Sequence, residues 1–130
     1  MNKTILVTAV VLGVLSVILG AFGAHALKEL IPVSSQQTFE TGVRYQMYHA
    51  LLLLFVGSTS LLQNKTKKVV FYLIVVGLLL FSGSIYGLAT NELSTFNFKL
   101  IGFVTTIGGL SIILAWIIML IDFLKISSKN

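Results

Sequence analysis

Cysteine is absent from this chain, and charge is scarce. The first absence removes disulfides, thiolate metal sites, iron–sulfur clusters and cysteine nucleophiles from the possible chemistry. The second reaches further. Charged residues make up 10% of the 130 positions and AVILMFWYC residues 56%, against roughly 25% and 45–50% in soluble domains. That composition argues against a soluble fold. The formal net charge of +5 could suggest nucleic acid, but binding there needs a basic face. Here the only dense group is Lys65, Lys67 and Lys68, within one short turn. No nucleic-acid partner is expected.

What is present is long apolar runs. Thr4 to Ala24, Tyr45 to Asn64, Val69 to Asn91 and Leu100 to Ile121 are 21, 20, 23 and 22 residues long and, His49 apart, carry no ionisable Lys, Arg, Asp, Glu or His. About 20 helical residues at about 1.5 Å each cross the roughly 30 Å of a bilayer core. The expectation is an all-α, polytopic membrane protein, a bundle of four transmembrane helices. The spans are placed at about residues 4–27, 43–63, 69–91 and 100–122 of a single domain, residues 1–130.

Four spans put both termini and the middle turn on one side, with Lys3, Lys65, Lys67, Lys68, Lys125 and Lys129, and leave Lys28, Arg44 and Lys99 on the other. The positive-inside rule makes the first side cytoplasmic. A rival reading takes Lys3, the apolar run and Ala24-His25-Ala26 as a signal peptide. That run is longer than a signal h-region of about 7–15 residues, so an uncleaved first span is expected.

Small residues at Ala9, Gly13, Ser16, Gly20 and Ala24 recur at helical spacing, as do Gly83 and Gly87 in the third span and Gly102, Thr105 and Gly109 in the fourth. Such stripes let helix backbones approach closely. The glycines assigned to helix packing are Gly13, Gly20, Gly23, Gly83, Gly87, Gly108 and Gly109. Before the second span, Ser34 and Ser35 follow Pro32, the only proline, and are expected to cap a helix. On that helix Glu40 and Arg44 are four apart and can pair.

Polar groups crowd the outer half of the spans. Because buried polar groups must be hydrogen-bonded, this clustering implies a shared network or a wet pocket. The candidate pocket is lined by His25, Glu40, Arg44, Tyr45, Tyr48, His49, Ser84 and Tyr86. Arg44 can hold a carboxylate or phosphate bidentately. His49, about 8 Å into its span by helical rise, can act as a hydrogen-bonding, proton-handling or metal-ligating group; the bland alternative is a neutral histidine bonded to a neighbour. Asp122 is expected to be a solvated interfacial charge. With no carboxylate in mid-span, no carboxylate pair, no nucleophile beside an evident base and no complete ligand set, no catalytic residue, metal or cofactor is assigned.

Four blocks carry a resemblance: GAFGAHAL from Gly20, FETGVRYQMYHAL from Phe39, FSGSIY from Phe81 and TTIGG from Thr105. In this order they resemble the small four-helix inner-membrane proteins of domain-of-unknown-function family 423. The resemblance implies an uncleaved, multi-pass protein of the inner membrane and brings no substrate or catalytic residue. Thr106 stands where the family usually has proline. Three roles stay open: binding or transport of a small polar molecule or lipid head group, structural assembly with itself or another membrane protein, and an intramembrane haem or metal protein using His25 and His49.

Overall fold

A computed structural model describes residues 2–90 and 102–126. The described residues form four α-helices: α1 (Asn2–Ala24), α2 (Val33–Ser58), α3 (Asn64–Ala89) and α4 (Gly102–Leu124). A short 3-10 turn, Leu27–Glu29, lies between α1 and α2. The helices pack in chain order, α1 on α2, α2 on α3 and α3 on α4. Contacts at one end fix their directions. The Lys67 ammonium donates to Asn2 Oδ1 at 3.3 Å, Gln63 N–H donates to Asp122 Oδ2 at 3.0 Å, and Gly57 sits against Leu6. The start of α1, the turn from α2 into α3 and the end of α4 therefore share one end of the bundle. His25, the Leu27–Glu29 turn and the start of α4 lie at the other.

Among the described residues α1, α3 and α4 are long and apolar enough to cross a membrane. The 26 residues of α2 run beside them, antiparallel to α1 and α3. Its first turns hold the polar residues, and its second half is the apolar run Ala50 to Val56. The start of α2 differs from the serine-capped helix expected. Pro32 occupies the N-cap position at φ −63° and ψ 159°, with no side-chain cap. Its ring already fixes the backbone angle that the entry needs, so Ser34 and Ser35 are drawn inside the helix.

Two apolar clusters hold the bundle. The larger runs through the middle and the end that holds Asn2 and Asp122, with Ile5, Leu53, Val56, Val70, Ile74 and Ala115 almost fully enclosed. The smaller, Leu27, Ile31, Phe39 and Ala89, closes the other end. Large apolar side chains such as Val17, Leu79, Phe103 and Leu120 remain on the outside, where a bilayer would meet them. Since lipid is as apolar as leucine, helix contact must come from close packing and hydrogen bonds.

The glycines show where that packing is tightest. A methyl group on Gly108 would lie 2.5 Å from Phe81 N and 2.8 Å from Gly77 O, so the α3 and α4 backbones touch there. A methyl group on Gly42 would lie 2.6 Å from the Tyr86 ring, and one on Gly23 would lie 2.9 Å from the Phe39 ring. Gly20 and Gly109 face ordinary contacts at 3.4 and 3.6 Å, whereas Gly13 and Gly83 have open space beside them. α4 runs unbroken past Thr106, whose hydroxyl donates back to Gly102 O at 3.3 Å.

Gly108→Ala is expected to lower stability by about 1–3 kcal/mol, because the new methyl meets backbone atoms that cannot move aside. Gly13→Ala is expected to leave stability unchanged or raise it, since alanine favours the helix and the methyl meets nothing. Denaturant titration of both variants in bicelles checks the contrast.

Candidate functional site

Two polar constellations grow from α2, and they differ in kind. The first is buried between helices. Gln46 stands where α2 is flanked by α1 and α3: its amide donates to Leu12 O at 2.9 Å and its carbonyl accepts from the Tyr86 hydroxyl at 2.7 Å. One turn away, Ser82 Oγ donates to Gly42 O at 3.0 Å and Ser16 Oγ to Val43 O at 3.4 Å. Ser84 Oγ donates to Phe81 O at 2.9 Å and shares a hydrogen bond with the Thr105 hydroxyl. Among the described residues no buried side-chain nitrogen or oxygen lacks a partner. This constellation is a set of ties between helices in which each buried polar side-chain atom has a partner.

His49 belongs to it. The Trp116 indole N–H, which can only donate, lies 3.1 Å from His49 Nε2, and His49 Nδ1 lies 2.7 Å from Tyr45 O. Nε2 must accept and Nδ1 must donate, which fixes the neutral Nδ1–H tautomer. The ring is 4% exposed and has Trp116 edge-on at 6.0 Å and Tyr45 stacked at 6.3 Å. Neither nitrogen retains a free lone pair for a metal. Among the described residues no group of three or more His, Cys, Asp or Glu side chains could hold a metal ion.

The second constellation is open. A cleft of about 500 Å³ lies between the outer end of α1, the Leu27–Glu29 turn and the first turns of α2. Its polar lining is Lys28, Gln36, Glu40 and Arg44. Gln36 Nε2 donates to both Lys28 O at 2.9 Å and Ile31 O at 3.0 Å, so the turn that carries Lys28 is pinned to α2. Arg44 Nη2 donates to Glu40 Oε1 at 2.8 Å, as the four-residue spacing predicts, with both side chains more than half exposed. A guanidinium carries five N–H donors, so most of them remain available. Lys28 has no ion-pair partner among the described residues. Two cations thus face the cleft against one carboxylate.

The eight residues proposed from sequence therefore lie in three places. Glu40 and Arg44 line the cleft, while His49, Ser84 and Tyr86 belong to the interhelical ties. His25, exposed just beyond α1, and the exposed Tyr45 and Tyr48 line neither. The Tyr45 ring instead covers Phe81 at 5.1 Å. Asp122 corrects the expectation of a solvated charge. It is 6% exposed and accepts the N–H that opens α3, where the positive end of the helix dipole favours a carboxylate. Sequence reasoning passed over Lys28 and Gln36 as site residues. Their signal was position: Lys28 lies in the turn that closes α1 onto α2, and Gln36 in the first turn of α2 beyond it.

Trp116 is the only tryptophan, so its fluorescence reports the His49 bond directly. His49→Ala removes the indole's acceptor and should shift the emission to the blue; an unchanged spectrum would show that the indole N–H is not bound to the ring.

Comparison with known proteins gives a consistent picture. The family described as "Protein of unknown function (DUF423)" matches residues 19–109. The UPF0382 membrane protein YwdK of Bacillus subtilis is 35% identical over 125 residues, covering 95% of this chain and 98% of that protein. The UPF0382 inner membrane protein YgdD of Escherichia coli K12 is 33% identical over 133 residues, covering 99% and 95%. A UPF0382 membrane protein of Staphylococcus saprophyticus is 35% identical over 121 residues, covering 90% and 97%. No solved structure matches significantly. Helices able to cross a bilayer and relatives matched along nearly their full length lead to one conclusion: the chain belongs to the DUF423 family of multi-pass proteins of the cell's inner membrane, whose biochemical role is not established.

Proposed function

We propose that this protein is a binding protein for an anionic group, the head group of a lipid or a small polar molecule, held in the outer cleft between α1 and α2. Lys28 and Arg44 are its charge partners. The carrying observation is their convergence on one cleft with donors that, Glu40 apart, no acceptor among the described residues claims. Phosphate and carboxylate are the groups whose geometry suits a guanidinium fork. In this reading residues 1–130 form one four-span domain with cytoplasmic termini, and the cleft opens outward. The polar ties around Gln46 and His49 hold α2 in place and take no part in binding. Haem or metal ligation by His25 and His49 loses its support, because both nitrogens of His49 are engaged.

Native mass spectrometry of gently extracted protein tests the reading. The wild type should carry an anionic species, and Arg44→Gln or Lys28→Gln should each retain it about 10–100-fold more weakly, the equivalent of losing one charge-assisted hydrogen bond worth about 1.5–3 kcal/mol. An unliganded wild type would overturn the proposal and leave self-association or another membrane protein as the partner to seek.

A further inference from the structure

Below the cleft, the same pair of helices carries a second depression. It has a volume of about 470 Å³ and is lined by apolar side chains alone, among them Gly13, Val14 and Val17 of α1 and Met47, Leu51 and Leu54 of α2. The two depressions follow one another along the seam of the helix pair and together form its furrow. On α2, the cleft residues Gln36, Glu40 and Arg44 and the groove residues Met47, Leu51 and Leu54 follow each other at steps of four, four, three, four and three. On α1, Gly13 and Val17 of the groove continue at steps of three and four into Gly20 and Ala24 of the cleft. Such spacing keeps residues on one helix face. Both rows border the α1–α2 seam, away from the Gly42 side of α2 that packs on α3.

The furrow therefore has two chemistries in order: a mouth lined by two cations and one carboxylate, then purely apolar walls. From Arg44 to Leu54 it runs about 15 Å by helical rise, a length that an acyl chain can follow. Gly13 lies in the wall of this groove, with no atom within 4 Å of where its side chain would begin. Small polar anions have no use for the lower half, and a neutral chain has none for the upper.

We propose that the furrow is a site for a single anionic phospholipid, its phosphate between Lys28 and Arg44 and one acyl chain lying in the groove beside Gly13. This rests on the anion-binding reading of the cleft and narrows its ligand to a lipid. The charge at the mouth sets the preference for an anionic head group; the groove sets the requirement for a chain.

Arg44 is the only arginine, so its guanidinium Nε–H gives a single resonance in arginine-labelled protein. The experiment combines that signal with native mass spectrometry from nanodiscs of phosphatidylglycerol and phosphatidylethanolamine. The variants Gly13→Leu and Val17→Phe fill the groove from positions without core contacts, Val17 being 63% exposed. The wild type should retain phosphatidylglycerol about tenfold over phosphatidylethanolamine. Both groove variants should lose most of that retention, while glycerol phosphate still shifts the Arg44 signal in each. Undiminished phosphatidylglycerol retention in both variants, with the Arg44 shift intact, would overturn the lipid site and leave the anion cleft standing. Absence of any glycerol phosphate shift in the wild type, with no preference for phosphatidylglycerol, would overturn both. A wild-type dimer that the groove variants dissociate would assign the furrow to a second copy of the chain and overturn the lipid proposal.

Discussion

Gln46 is where three of the four helices meet through one side chain. Within a bilayer there is no water to satisfy a primary amide, and every polar group left unpaired is costly. Gln46 meets that constraint by donating to the α1 backbone at Leu12 and accepting from Tyr86 of α3. Around it the hydroxyls of Ser16 and Ser82 reach the α2 carbonyls of Val43 and Gly42. α2 has the weakest apolar claim on the membrane of the four helices, and these ties compensate. They also explain Gly42: only without a side chain there can the Tyr86 ring cross α2 to reach Gln46.

A functional division follows from the same constraint. Polar side chains deep between helices, His49 included, have satisfied one another and are fixed in orientation. Those at the outer end of α2 are held less completely. Glu40 occupies part of Arg44, Gln36 is spent on pinning the Lys28 turn, and the cationic donors that remain face a cleft. In the proposed reading these ties hold the two helices that carry Lys28 and Arg44, and fixing them in advance would reduce the ordering cost of association.

Much of this was legible in the sequence. Apolar runs of 20 to 23 residues announce membrane helices because length and composition are local properties. The Glu40–Arg44 pair follows from helical spacing for the same reason. The four sequence blocks carry the family's identity because a run of residues is itself a local property. What sequence could not supply is which way each face turns. Gly13 and Gly108 look alike in a small-residue stripe, yet one opens on space and the other presses on backbone, and only the relative rotation of neighbouring helices decides. His25 and His49 share a chemistry but lie at different levels and in different surroundings, because His25 follows α1 at the end of the bundle while His49 is roofed by Trp116 from α4. Asp122 reads as a surface charge until the α2–α3 turn is folded over it.

Gln46 couples α2 to both α1 and α3, and a double-mutant cycle on Gln46→Leu and Tyr86→Phe in bicelles reads the bond to α3. A real bond between the two side chains gives a coupling energy of about 0.5–2 kcal/mol. Stability losses that simply add, to within about 0.3 kcal/mol, would contradict it.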